Sequence, residues 1–77
     1  MSEIALTLVT PGETVMVNAF NASLELQSRL VEMGILPGVK IRLIKSAPFK
    51  GPIELKIRGY HVSLRWKDAQ HILVTGK

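Results

Sequence analysis

Hydrophobic and polar residues alternate along five stretches of the chain, a pattern that predicts short β-strands with one buried face. The strand after the Thr10–Glu13 turn buries Val15 and Val17, and the last strand buries Ile72 and Val74. The inward positions between them are Val39, Ile41, Leu43, Ile53, Leu55, Ile57, Val62, Leu64 and Trp66. We therefore expect a mostly β domain whose core is built from alternate strand positions.

The period of the pattern changes between the first two predicted strands. From Ser23 onward, apolar residues recur at the spacing of one helix face. Asn21 or Ser23 can cap this helix by accepting a backbone N–H. Gly34 can end it, because glycine adopts the left-handed conformation without a Cβ penalty. The sequence therefore predicts one short helix after the first strand, with an inward stripe of Leu26, Leu30 and Met33.

Proline and glycine mark the connections between the predicted strands. Leu36-Pro37-Gly38 predicts a tight turn, residues 47–52 predict a loop, and Gly59-Tyr60 suits a two-residue hairpin turn with glycine first. Residues 68–70 favour one helical turn that Asp68 caps. About five short strands with one inserted helix predict a small, partly open β-barrel.

Composition limits the chain to one domain over residues 1–77 and excludes several kinds of site. Cysteine is absent from the sequence, which excludes a disulfide framework and a thiolate metal site. The apolar run Ile4–Val9 is too short for a signal-peptide core, and no run approaches the roughly 18–20 apolar residues of a membrane span. We expect a cytoplasmic protein without direct membrane insertion.

The sequence offers no recognisable catalytic or cofactor set. The two histidines, His61 and His71, fall on different predicted elements, whereas a buried metal site usually needs three or four ligands. Asp68 is the only aspartate, and no nucleophile stands at an informative spacing from a base. The glycines are scattered and form no phosphate loop. We therefore predict a protein that is not an enzyme and holds no cofactor.

Charge is the feature that bears most on the choice of partner. Residues 1–39 carry a net charge of −3, whereas residues 40–67 carry +7. A basic sheet face can meet an acidic protein, nucleic acid or anionic lipid, but single-stranded nucleic acid also needs exposed aromatic rings between the charges. The pattern places Trp66 and Phe20 inward and only Phe49 and Tyr60 at loop tips. A solvated charged face is favoured, and nucleic-acid binding is the alternative.

Phe49 lies in the stretch Pro48-Phe49-Lys50-Gly51-Pro52, where no alternation assigns it to the core. An aromatic ring at the tip of such a stiff loop is either a lid folded over the barrel end or an anchor that inserts into a partner. Aromatic anchors are favoured at interfaces because they bury a large area at a small entropic cost. Both interpretations stay open, and the prediction of partner-binding residues below takes Phe49 as an anchor.

The motifs of this chain, taken in order, resemble the FeoA family, ferrous iron transport protein A, over roughly residues 6–75. The resemblance opens with Leu8-x-x-Pro11-Gly12-Glu13. It continues through Arg29-Leu30-x-x-Met33-Gly34-Ile35-Leu36-Pro37-Gly38-x-x-Ile41, Ala47-Pro48-Phe49-x-Gly51-Pro52-Ile53, Ile57-x-Gly59-Tyr60, Val62-Ser63-Leu64-Arg65 and Ala69-x-x-Ile72-x-Val74.

The resemblance implies a small SH3-like barrel with an accessory role in bacterial ferrous iron uptake. It implies that the protein binds and modulates the membrane transporter FeoB, whose cytoplasmic part is a GTPase, and it transfers no catalytic residue. Similar domains end iron-dependent repressors. No helix-turn-helix pattern precedes the barrel here, so a stand-alone relative of those domains is the weaker alternative. Weak homo-oligomerisation stays open.

The predicted helix and the loop from Pro48 to Pro52 are the two departures from a plain barrel, so we expect the partner to bind there. The expected partner-binding residues are Leu24, Arg29, Phe49, Lys50 and Tyr60. Most other motif residues have sufficient structural reasons of their own and need not contact a partner, for example Gly34, Pro37, Gly38, Ala69 and Ile72.

Overall fold

Six β-strands and two α-helices account for most of residues 3–76, the part of the chain that the computed structural model describes. The strands are β1 (Ile4–Ala5), β2 (Thr14–Phe20), β3 (Lys40–Ser46), β4 (Ile53–Ile57), β5 (Tyr60–Leu64) and β6 (Ile72–Gly76). The helices are α1 (Leu24–Glu32) and α2 (Trp66–Ala69), and a turn of 3-10 helix, Leu6–Leu8, follows β1.

The strands form one antiparallel sheet in the order β1-β6-β2-β3-β4-β5. The sheet does not close, because β1 and β5 lie at its two edges. The additional strand relative to the roughly five predicted is β1, a two-residue strand that pairs with β6 through Ile4 opposite Val74. No helix in residues 3–76 has the length and apolar character needed to cross a membrane.

Alternate strand positions form the core, as the sequence predicts. All of the predicted inward strand positions are buried except Val62 and Trp66, which are half-buried at the edge of the core. Leu6 and Val9 of the N-terminal segment are also buried. Phe20, predicted to be a core residue, is only partly buried and packs against the cluster from outside. Each fully buried aliphatic side chain contributes about 1.5–3 kcal/mol relative to an exposed one.

Helix α1 begins and ends where the sequence predicts. The Ser23 hydroxyl accepts the backbone N–H of Leu26 at 3.2 Å. At the other end Gly34 has a φ of 91°, and its N–H donates to the Val31 carbonyl while the N–H of Ile35 donates to the Leu30 carbonyl, both at 2.9 Å. This pair of bonds is the Schellman motif, which satisfies carbonyls that a helix end leaves free.

The β4–β5 hairpin turns one residue earlier than predicted. Ile57 pairs with Tyr60, so the turn residues are Arg58 and Gly59, with φ values of 49° and 92°. Glycine is therefore the second turn residue and Tyr60 is the first residue of β5. Positive φ at both central positions is the requirement of a type I′ turn, the commonest hairpin connection together with type II′.

Helix α2 also starts earlier than the sequence predicts. It begins at Trp66, with Arg65 as its N-cap residue, and Asp68 lies in its first turn. The predicted cap role for Asp68 is therefore wrong. Strand β5 ends at Leu64, and the inward register assigned to Trp66 does not extend past that strand.

Candidate partner-binding site

The β3–β4 loop, residues 47–52, closes as a tight turn between two strands. The backbone N–H of Ala47 donates to the Pro52 carbonyl at 3.0 Å, and the N–H of Gly51 donates to the Pro48 carbonyl at 3.1 Å. The two residues between Pro48 and Gly51 both have a φ of 59°. The loop is held in one shape by these hydrogen bonds and by the fixed φ of its prolines.

Phe49 projects entirely into solvent from the tip of this loop. Its side chain is 100% exposed, so the ring is not a lid over the barrel. Positive φ is unusual for a bulky residue, and left-handed backbone costs roughly 1–2 kcal/mol at each non-glycine position. Backbone strain of this kind clusters at functional sites. The geometry supports the expectation that Phe49 is an anchor, which stays a prediction.

Lys50 turns back over the indole ring of Trp66. Its Nζ lies 5.0 Å from the ring centroid, a cation–π distance whose contribution is about 0.5–1 kcal/mol at an exposed site. The two flanking residues of Trp66 are both basic. Together these side chains and the loop form an open groove of about 540 Å³, lined by Lys50, Gly51, Pro52, Arg65, Trp66 and Lys67. We call it the indole groove.

Gly51 is needed for the close approach of the two arms of the loop. A Cβ at this position would lie 2.7 Å from the Ala47 Cβ and 3.1 Å from the Pro48 carbonyl oxygen. Both distances are shorter than ordinary van der Waals contact, and neither neighbouring atom belongs to a long flexible side chain. The shape of the loop therefore depends on this glycine.

Tyr60 is the first residue of β5 and pairs with Ile57, the last residue of β4. This end of β4 is the one away from the β3–β4 loop. The Tyr60 side chain connects β5 to the C-terminal end of helix α1. Its hydroxyl donates to the Met33 carbonyl at 3.1 Å, and a side chain at Gly34 would collide with the same hydroxyl. The ring is half-exposed. These contacts are a sufficient structural role for Tyr60.

The helix residues predicted for the site, Leu24 and Arg29, are both exposed. Leu24 is the first residue of α1 and is 82% exposed, and Arg29 lies in the last turn. Five positions separate them, which places them about 140° apart around the helix axis. They do not form one patch.

The structure thus divides the five predicted residues into two groups. Phe49 and Lys50 belong to the loop before β4, whereas Leu24, Arg29 and Tyr60 belong to helix α1 and its contact with β5. The loop pair acquires three neighbours that the sequence pattern did not single out: Arg65, Trp66 and Lys67. The available signal was the tripeptide Arg-Trp-Lys, in which a large aromatic residue stands between two cations just after an alternating strand.

A row of basic residues crosses the exposed face of the sheet. Arg42 on β3 stands directly opposite Lys56 on β4, and Lys56 stands opposite His61 on β5. On its other side Arg42 faces Thr14. Directly opposed like charges are unfavourable, and the register places no carboxylate opposite Arg42 or Lys56. We call Arg42, Lys56 and His61 the basic row.

The chemistry that this surface offers is recognition. In residues 3–76, no group of three or more His, Asp or Glu side chains is arranged to hold a metal ion. What the surface does present is an exposed aromatic ring, an indole flanked by cations and a row of basic side chains. Such features bind partners through apolar contact and charge complementarity.

Comparison with known proteins relates nearly the whole described chain to one family. Residues 4–76 match the family model described as the FeoA domain. Over 48 residues, which are 62% of this chain, the sequence is 40% identical to the Fe(2+) transport protein A/Fe(2+) transporter FeoB fusion protein of Porphyromonas gingivalis. The matched part spans only 6% of that much longer protein.

Two solved structures superpose closely on this chain. A FeoA-like protein from Clostridium acetobutylicum has a TM-score of 0.88 at 33% identity, over 99% of this chain and 88% of that one. A manganese-dependent transcriptional repressor in complex with manganese has a TM-score of 0.91 at 23% identity, over 100% of this chain and 38% of the repressor. The second likeness shows a common fold alone. The match to FeoA-like structures confirms the predicted SH3-like fold, here with its sheet not closed.

Proposed function

This chain belongs to the FeoA family, and we propose that it is a non-catalytic accessory protein of bacterial ferrous iron uptake. In this role it binds the cytoplasmic GTPase part of the transporter FeoB and modulates it. The protein works in the cytoplasm, at the inner membrane that holds the transporter. Ferrous iron is the cargo of the transporter and needs no site on this chain.

The observation that carries the proposal is the 40% identity with a protein whose name describes a fusion of transport protein A with FeoB. Two modules in one chain meet at a high effective concentration. A fusion is therefore favoured where the two modules work in contact. We extend that association to this chain.

The exposed loop supplies the means of contact. A few aromatic or arginine residues usually carry most of the binding energy of an interface. Phe49 is a fully exposed aromatic residue on a loop whose shape is already fixed by backbone hydrogen bonds. Little conformational entropy is lost when such a loop docks. The side chain of Lys50 beside it favours an approach to an acidic surface.

The direct experiment titrates the purified cytoplasmic part of FeoB from the same organism with this protein and measures heat release. We expect saturable 1:1 binding and a change in the rate of GTP hydrolysis. In cells, deletion of the gene should lower ferrous iron uptake while the amount of FeoB is unchanged. Normal uptake in the deletion strain, together with no heat signal, would refute the proposal.

Nucleic acid is the second candidate partner, and the basic row is the observation that favours it. We nevertheless expect no specific binding of DNA or RNA at physiological ionic strength, because the row carries no phenylalanine, tyrosine or tryptophan for base stacking. Phosphate contacts alone weaken steeply as salt rises. A sub-micromolar, sequence-selective complex at physiological salt would contradict this expectation.

A further inference from the structure

The indole groove is lined by one indole ring and three cationic side chains. Trp66 is one of its lining residues, while Lys50 comes from the β3–β4 loop and Arg65 and Lys67 come from the start of α2. Pro52 adds a second apolar wall. The groove thus offers both apolar contact and positive charge within a single small volume.

The positive charge of the groove is not compensated by its own lining. No carboxylate lines the groove in the described part of the chain. The carboxylate nearest in sequence, Asp68, is buried within α2. Lys50, Arg65 and Lys67 all line the groove, so a ligand that brings negative charge is attracted by three cations.

The size of the groove selects among anionic ligands. A volume of about 540 Å³ is that of a site for a ligand of many atoms, well beyond a single phosphate or carboxylate. The groove is open to solvent, and the indole and the proline that line it suit an apolar or aromatic side chain. A short extended peptide with carboxylates on either side of such a side chain matches each of these properties.

We propose that the indole groove binds an acidic peptide segment with a central aromatic or aliphatic side chain, and that the cytoplasmic part of FeoB contributes this segment. The assignment of FeoB rests on the proposed function. The peptide's apolar side chain takes the place of Lys50 on the indole face, and its carboxylates pair with Lys50, Arg65 and Lys67. Phe49, on the same loop as Lys50, makes a separate contact with the body of the partner.

A protein segment fits this groove better than a nucleic acid does. Strand binding needs successive stacking platforms along a basic track, whereas the groove has a single indole, half-buried and covered on one face by Lys50. Phe49, the aromatic residue of the β3–β4 loop, projects into solvent. The groove is therefore a single pocket for one side chain flanked by charges.

Trp66 is the only tryptophan in the sequence, so its fluorescence and its indole N–H resonance report directly on the groove. The first probe is a capped five-residue peptide with four glutamates around a central phenylalanine. The matched probes replace the glutamates by glutamines, or the phenylalanine by alanine. We expect saturable shifts of both Trp66 signals, with binding at least tenfold weaker for either matched probe. No shift, or equal affinity for the glutamine peptide, would overturn the proposal.

Charge reversal tests the residues of the groove. The double variant Arg65→Glu with Lys67→Glu should bind the acidic peptide at least tenfold more weakly, because two of the three cations become repulsive. The matched control is Lys40→Glu with Lys45→Glu, which makes the same change in net charge on exposed positions of β3 outside the groove. We expect less than a twofold loss for this control. Equal losses in both variants would mean that net charge alone attracts the peptide.

Three measurements with the cytoplasmic part of FeoB keep the two proposals distinguishable. If it binds the wild-type chain and the groove variant loses that binding while the control retains it, both proposals stand. If it binds both variants equally, the groove assignment fails and the proposed function survives. If it does not bind the wild-type chain, while the peptide still shifts Trp66, the peptide site stands and the assignment of FeoB fails. A single-stranded oligonucleotide that shifts Trp66 more strongly than the peptide at physiological salt would overturn the peptide assignment.

Discussion

Two consecutive hairpins of this sheet are closed by turns with positive φ at both central residues but with very different sequences. In the β4–β5 turn, Arg58 and Gly59 have φ values of 49° and 92°, so glycine takes the larger angle. In the β3–β4 turn, Phe49 and Lys50 both have a φ of 59°, and neither is glycine. The glycine of this second loop, Gly51, serves the close approach of the two arms instead.

The β4–β5 turn has a sequence that suits its backbone conformation, whereas the β3–β4 turn has one that does not but that exposes two side chains. Turns with positive φ at both central positions strongly prefer Asn-Gly, Asp-Gly or Gly-Gly pairs. A Phe-Lys pair abandons that preference, and the result is an exposed ring and an ammonium group above Trp66. Proteins retain unfavourable local choices mainly where function requires them. We therefore assign the β3–β4 turn to the partner and the β4–β5 turn to the fold.

Truncation of the ring should have the largest effect on binding. We expect Phe49→Ala to weaken binding of the FeoB cytoplasmic part by at least about 2 kcal/mol, roughly thirtyfold in Kd. The melting temperature should not fall, because the ring is fully exposed in the free protein. Calorimetric titration and thermal melting of the same preparation measure the two quantities.

The matched control for this variant is Leu8→Ala, because Leu8 is also a strongly exposed apolar residue but lies in the N-terminal 3-10 helix. Its loss should leave binding within about 0.5 kcal/mol of the wild type. A large fall in the melting temperature of Phe49→Ala would show that the ring contributes to the core, and the contrast between the two turns would then lose its functional meaning.

A Cβ at position 51 should distort the β3–β4 loop. We expect Gly51→Ala to destabilise the domain by about 1–3 kcal/mol, as overpacking does, because the added atom meets the Ala47 Cβ and the Pro48 carbonyl. In a domain of this size each kcal/mol lowers the melting temperature by roughly 4–8 °C. The control is Gly76→Ala, where the new Cβ meets open space. Equal melting of the two variants would mean that the loop relaxes freely around the added atom.

The contrast between the turns also marks where sequence reasoning succeeds. The buried strand faces and both ends of α1 follow from alternation, from Ser23 and from Gly34, because each of these signals has one structural solution. The position of the β4–β5 turn, by contrast, has two possible structural solutions. Turn residues 58–59 and 59–60 both pair inward residues with inward residues, since the two registers differ by an even number of positions. The hydrophobic pattern therefore could not decide between them.

The indole groove escaped prediction for a related reason. A period of two tells which face a residue takes within a strand, but it carries no information about where the strand stops. The alternation of Val62, Leu64 and Trp66 continues into α2, so the pattern predicts a core position for Trp66 although β5 ends at Leu64. The loop, by contrast, was recognisable from its prolines and glycine. What no local pattern could supply was the packing of that loop against the start of α2.

Replacing Phe49 and Lys50 by residues that prefer positive φ should stabilise the domain and weaken partner binding. The double variant Phe49→Asn with Lys50→Gly restores the preferred Asn-Gly pair and should stabilise the domain by about 1 kcal/mol. Binding of the FeoB cytoplasmic part should weaken at least as much as in Phe49→Ala, because the same ring is removed. Denaturant unfolding measures the gain. Phe49→Ala with Lys50→Ala is the control, because it removes the same side chains and keeps the strained backbone. If both variants are equally stable, the turn stores no strain.

The smallest effect concerns the strands that the two turns join. Lys56 on β4 stands between Arg42 and His61, and changing a directly opposed like-charge pair to an opposite-charge pair is favourable by a few tenths of a kcal/mol up to about 1. Lys56→Glu should therefore stabilise the domain by about 0.5 kcal/mol in low salt, and the gain should shrink as salt screens the exposed pair. Lys40→Glu, opposite the uncharged Met16, is the control and should give no such gain. A salt-sensitive gain confined to Lys56→Glu would mean that the β3–β4 hairpin holds an unfavourable charge pair outside its turn, at Arg42 and Lys56, which an acidic partner would relieve. If Lys56→Glu is no more stable than the wild type, the β3–β4 turn is the only unfavourable feature of this hairpin, and the basic row is an ordinary solvated face.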